Sequence, residues 1–189
     1  NCSNSGTVTS GPLAVNDQPY QAVGSVLKIG GLCGFFHLSA QDCTNKGNII
    51  VESSEQAYVG GVAGEFCGAE AQSCTNYGKI TYKGEIRDSY LGGFSGSSEA
   101  QKMIECVNYA DVTGPKNVNY GRTGGLSGDS GDNIILRSAN KGNVIGSQCS
   151  IDNGYTRIGG LTGQSLSSGT IEDCINEGFV TALDTKGTV

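Results

Sequence analysis

The chain has 189 residues and a formal net charge of −6 with a pI near 4.7. That acidic balance, with no Lys/Arg cluster, excludes the basic face of a nucleic-acid binder and the basic amphipathic helix of a membrane-surface binder. No apolar run approaches the roughly 18 residues of a membrane span, and 31 Gly with no Trp predict many short strands joined by turns.

In chain order, the first element is Cys2-x-Asn4-x-Gly6-x-Val8. It returns as Cys43-Asn45-Gly47-Ile49, Cys74-Asn76-Gly78-Ile80, Cys106-Asn108-Ala110-Val112, Ser138-Asn140-Gly142-Val144 and Cys174-Asn176-Gly178-Val180. Between these stands Gly-Gly-x-x-Gly, beginning at Gly30, Gly60, Gly92, Gly124 and Gly159. Two independent markers keep one period of about 32 residues, so the chain is an internal repeat.

The Cys, Asn, Gly and Val of each unit lie two apart, the spacing of one face of an extended strand. These constant residues are expected to face inward and the variable ones outward. Stacked units would put Cys into the interior as a small hydrophobe, with Ser138 filling the same volume. The Asn amide is expected to bond to the backbone at a turn and to the next Asn in the stack. The Gly that follows is expected to serve a positive φ. Ile29, Val59, Leu91, Thr123 and Ile158, each before a Gly-Gly, read as core.

These features predict an all-β fold, a parallel β-helix or β-solenoid of about five coils with a repeat of about 32 residues. The period is compatible with one wide coil of three faces and a loop, or with two short half-coils. The chain 1–189 reads as a single solenoid domain and as a segment of a longer repeat protein.

The units "VGGVAG", "LGGFSG", "TGGLSG" and "IGGLTG", alternating with "CTNKGNI" and "CTNYGKI", resemble the GLUG-motif repeats of bacterial surface and secreted proteins. The resemblance implies an adhesin-like, exported, cell-surface or extracellular module. It also implies a non-catalytic role, and it supplies no catalytic residues.

Variation concentrates between each Val/Ile and the next Gly-Gly, in 9–29, 50–59, 81–91, 113–123 and 145–158, where Pro12, Pro19 and Pro115 fall. Repeat insertions of this kind project from one side of a solenoid, often the binding side. Two residues before each Gly-Gly stand Lys28, Tyr58, Tyr90, Arg122 and Arg157. By alternation these are expected to point outward and stack into a strip of rings and cations. Such a strip suits glycans or an extracellular surface protein, through Tyr faces and Arg forks. Tyr77 and Tyr109 form a smaller pair. Good exposed-strand residues lined up by a repeat give the same pattern without a ligand, so a stalk or spacer presenting another domain is the alternative function.

No active site is expected. His37 is the only histidine, which excludes a multi-His zinc site, and a Cys-His pair with Cys33 or Cys43 is its weak alternative. No nucleotide-phosphate loop and no Cys-x-x-Cys occurs, so no cofactor or metal is expected. Asp42, Glu105 and Asp173 recur just before the Cys, but Ser73 and Arg137 occupy the same place, so no acid–base pair of a β-helix polysaccharide enzyme is expected. "GDSGDN" at 128–133 reads as a turn rather than a calcium loop. The thiols are expected to be mostly reduced, with Cys67–Cys74 or neighbouring rungs as candidate bridges.

Overall fold

The computed structural model describes residues 1–10, 26–52, 56–83, 86–99, 102–149, 154–166 and 168–182. Of the variable segments, residues 11–25, 53–55, 84–85 and 150–153 lie outside these, Pro12 and Pro19 included.

The described chain is a parallel β-solenoid without helix, built as five sheets that run along its axis. One repeat is one full coil of five short strands. The second coil is representative: Gln56–Gly60, Ala63–Phe66, Glu70–Gln72, Thr75–Asn76 and Ile80–Tyr82. We name the sheets after their ranks: tyrosine, serine, alanine, asparagine and valine, in that order. Each rank pairs in register with the same rank one repeat later, as in Tyr58↔Tyr90↔Arg122 and Asn45↔Asn76↔Asn108. The period-2 reading holds in the asparagine and valine sheets of the inner coils, whereas Ser95–Ser98 of the serine sheet is buried throughout, and a coil is one wide circuit rather than two half-coils.

The core takes the Cys and Val/Ile ranks of the motif together with apolar residues outside it, among them Phe66, Met103 and Ile135. One cluster packs Phe66, Phe94, Leu126, Met103 and Ile135 around Cys43, Cys74 and Cys106. The other packs Ile49, Ile80 and Val112 of the valine sheet against Val59 and Leu91 of the tyrosine sheet. Each fully buried side chain of this size stabilises by about 1.5–3 kcal/mol. Ser138 is buried in the Cys rank, where its hydroxyl donates to Leu136 O at 2.9 Å and accepts from Cys106 N at 3.1 Å.

The Asn rank runs as a continuous hydrogen-bonded ladder. Asn76 Nδ2 donates to Gly78 O at 2.9 Å and to Asn108 Oδ1 at 2.8 Å, while Gly78 N donates to Asn76 Oδ1 at 3.1 Å. The same rung-to-rung bond links Asn4 to Asn45, Asn45 to Asn76, Asn108 to Asn140 and Asn140 to Asn176. Each amide thus closes its own turn and joins the next coil, which is why no other residue substitutes at this rank.

The two glycine motifs turn out to be halves of one contact. A Cβ added to Gly61 would stand 2.2 Å from Asn76 Cγ and 2.2 Å from Gly93 O. Only hydrogen leaves room for the Asn ladder to lie against the Gly-Gly corner. The expectation of a positive φ at the Gly of the Asn unit is corrected: Gly47 and Gly78 are not left-handed, and a Cβ on Gly78 would meet Gly47 O at 1.9 Å. Close coil-to-coil approach selects glycine there. The left-handed backbone falls instead on the residue before the Cys, or Ser138, of the second to sixth Asn units, with φ of 51° at Asp42, 53° at Ser73, 55° at Glu105, 45° at Arg137 and 52° at Asp173. Those residues form the corner between the alanine and asparagine sheets, at a cost of roughly 1 kcal/mol each for a side chain that dislikes this region.

Candidate functional site

Lys28, Tyr58, Tyr90, Arg122 and Arg157 are brought into a single in-register rank of the tyrosine sheet. The sheet turns back at the Gly-Gly corner, so this rank faces a second one on the serine sheet: Phe35, Glu65, Ser97, Asp129 and Gln164. A third rank, Val26, Gln56, Asp88, Tyr120 and Tyr155, lies two residues before the first.

The ring–cation strip forms, but it is half-buried and its groups engage one another. Tyr58 stacks on Tyr90 with centroids 4.7 Å apart and planes 14° from parallel. Arg122 covers Tyr90, its guanidinium carbon 4.3 Å from the ring centroid. Arg122 Nη1 also donates to Asp129 Oδ2 at 2.8 Å, and Nη2 to Tyr155 Oη at 3.0 Å. Lys28 pairs with Glu65 and lies 4.2 Å from the Phe35 ring centre. Arg157 covers Tyr155 at 4.1 Å and donates to Gln164. Stacking along the axis therefore occupies ring faces that alternation alone assigned to solvent.

Burial sets the electrostatics. Desolvation pushes the Tyr58 hydroxyl up to about 12, assisted by Tyr90 and Glu65. Burial also raises the carboxyls of Asp88 and Asp129 above the usual carboxylate range, with Arg122 opposing the shift at both. Three polar atoms here are shut off from solvent without a hydrogen-bond partner: Arg122 Nε, Asp129 Oδ1 and Asp88 Oδ1. The rank facing Arg122 could have been found from the sequence, because Glu65 and Asp129 each fall seven residues after a rank member. That spacing becomes meaningful only once the corner between the strands is known.

Tyr77 and Tyr109 form the second pair, exposed on the asparagine sheet, with centroids 4.8 Å apart and planes 7° from parallel. His37 is exposed and meets Phe35 edge-on, while Cys33 Sγ donates to Phe35 O. Asp129 of "GDSGDN" lies in the strand Ser127–Ser130 and faces Arg122, which corrects the expectation of a turn across the whole segment. Glu105 accepts from Arg137 at 3.1 Å on the exposed corner rank. No disulfide joins Cys67 to Cys74 or one rung of the Cys rank to the next. Burial and the neighbouring Glu65 raise the Cys67 thiol to about 12. The neighbouring Cys74 side chain and burial raise the Cys106 thiol well above its ordinary value and Cys74 is lowered, while Cys106 Sγ donates to Ala71 O at 3.6 Å and Ile104 O at 3.5 Å. Among the described residues, no three His, Cys, Asp or Glu side chains gather into a metal-holding group.

Neither the protein-family models, nor the curated proteins, nor the solved structures contain a match to this chain.

Proposed function

We propose that the chain is a non-catalytic, adhesin-like repeat module of an exported surface protein, whose tyrosine–arginine flank contacts a glycan or an extracellular protein. One observation carries the reading: rings and guanidinium groups of successive coils align in register on a single flank. Such an array presents a ring or a cation every coil, about 4.8 Å apart, and so suits an extended ligand. The resemblance to GLUG-motif repeats supports the surface setting.

The spacer reading is favoured by a different observation. Lys28 and Arg122 already hold Glu65 and Asp129, and the Tyr58 and Tyr90 faces are already stacked. A strip so engaged also serves to stiffen a rod.

A glycan and extracellular-matrix array separates the two, run with the chain and with a Tyr58→Ala, Tyr90→Ala, Arg122→Ala triple variant. Binding that the folded variant loses supports the contact face. Absence of binding by the folded parent chain overturns it and leaves the spacer.

A further inference from the structure

His37, the single histidine of the chain, has a neighbour other than Cys33 or Cys43. Phe36 pairs in register with Phe66, and Cys67 N donates to Phe36 O at 2.8 Å. His37 and Cys67 therefore hold the same position in the first and second coils. Glu99 N donates to Phe66 O at 2.9 Å, which puts Glu99 at that position in the third coil. Cys33 stands at the start of the serine-sheet strand Cys33–Phe36, and Cys43 lies in the core with the Cys rank.

This position is open to solvent. His37 and Glu99 are exposed, and Cys67 is half-buried. Glu65, two residues before Cys67, lies on the same side of the strand. Cys67 Sγ donates to Glu65 Oε1 at 3.3 Å and lies 4.0 Å from Glu99 Oε2. Lys28 holds the other oxygen of Glu65, so Oε1 is left to the thiol. His37 meets Phe35 edge-on, and Phe35 is the residue in register with Glu65.

A thiol, an imidazole and two carboxylates form a donor set suited to a borderline dication such as Zn²⁺. The separations fit. With Zn–S of about 2.3 Å and Zn–O of about 2.1 Å, a tetrahedral site sets sulfur and oxygen about 3.6 Å apart. The observed 3.3 and 4.0 Å lie on either side of that value. The charges fit as well. Glu65 and Glu99 against Lys28 leave one negative charge, and Zn²⁺ with a Cys67 thiolate brings the group to neutrality. Burial and the two carboxylates hold the proton on Cys67, and a bound dication reverses the effect of those carboxylates. As they stand, the four side chains do not converge on one point. His37 and Glu99 are exposed, and exposed side chains change rotamer within nanoseconds.

We infer that His37, Glu65, Cys67 and Glu99 bind one Zn²⁺ across the first three coils. Sγ, one oxygen of each carboxylate and one imidazole nitrogen fill the tetrahedron, and the thiol proton leaves to solvent. Four protein ligands make this a structural clamp, since a catalytic zinc keeps an open position. The inference goes beyond the contact-face reading and does not depend on it.

The test is titration of the reduced chain with Zn²⁺ by calorimetry, and with Co²⁺ by absorbance in the thiolate-to-metal charge-transfer band. The proteins are the parent chain, Cys67→Ser, His37→Ala, Glu99→Gln and, as a control, Cys33→Ser. Circular dichroism checks that each folds. The expected result is one Zn²⁺ per chain, a higher unfolding temperature with Zn²⁺, and a Co²⁺–thiolate band. Cys67→Ser should abolish the band, and each of the three site variants should weaken Zn²⁺ binding roughly tenfold or more. Cys33→Ser should leave band and affinity unchanged, and Ca²⁺ and Mg²⁺, which prefer oxygen ligands, should not compete. Absence of Zn²⁺ binding, absence of the band, or binding that survives Cys67→Ser overturns the site. Binding lost equally in Cys33→Ser also overturns it, and so does binding that His37→Ala or Glu99→Gln leaves intact, because the four-ligand assignment then fails.

Discussion

Asn76 donates from Nδ2 to Oδ1 of Asn108, 2.8 Å away in the next coil, and both side chains are closed to solvent. A buried amide is costly unless every donor and acceptor is used. Here each amide is used twice, once to close its own turn and once to join its neighbour. The rank therefore holds the register of the whole solenoid, because a slipped coil would leave amides unpaired in both coils.

Removing one rung should expose that dependence. Asn108→Ala deletes the bonds to Ala110 O and Asn140 Oδ1 and strips Asn76 of its acceptor. We expect a loss of about 3 kcal/mol in urea unfolding. Asn108→Asp should cost at least as much, since a carboxylate accepts but does not donate.

The Gly-Gly corner should tolerate no methyl where it meets the ladder. Gly61→Ala would put a Cβ 2.2 Å from Asn76 Cγ, and we expect it to cost about 3 kcal/mol or more, or to prevent folding. Gly131→Ala is the control: its nearest neighbour is Ser98 O at 3.5 Å, and we expect a change within about 0.5 kcal/mol.

Thr123 occupies the rank of Ile29, Val59 and Leu91, fully buried, and its hydroxyl has no partner. Thr123→Val keeps the shape and removes the desolvated oxygen. Thermal unfolding should show a gain of about 1 kcal/mol.

Tyr58 should titrate later than an unfolded tyrosine. Its folded value of about 12 lies above the value near 10 of an unfolded tyrosine. The folded state thus holds the proton more tightly. Stability from this group is complete below pH 10 and falls as pH rises from 10 toward 12. Absorbance at the phenolate band, compared between the parent chain and Tyr58→Phe, should show one ionisation near pH 12 that the variant lacks.

The solenoid was legible because two motifs shared one period and because Cys, Asn, Gly and Val alternate. The reason for the glycines was not legible. Spacing alone does not reveal that Gly61 lies against Asn76 or that Gly78 lies against Gly47 O, since those contacts arise between distant parts of a coil and between coils. For the same reason the corner residues Asp42, Glu105 and Asp173 looked like a carboxylate pattern, whereas their common property is left-handed backbone. The Tyr–Arg rank was found by alternation, but its pairing with Glu65 and Asp129 required the turn between the strands.

The most direct test of the account is an isotope-edited NOE experiment on the side-chain amides. The account predicts contacts from Asn45 to Asn76, Asn76 to Asn108 and Asn108 to Asn140, each with slowed exchange with solvent. Amides that exchange freely, or contacts that skip a repeat, would contradict one coil per repeat and the ladder that holds it.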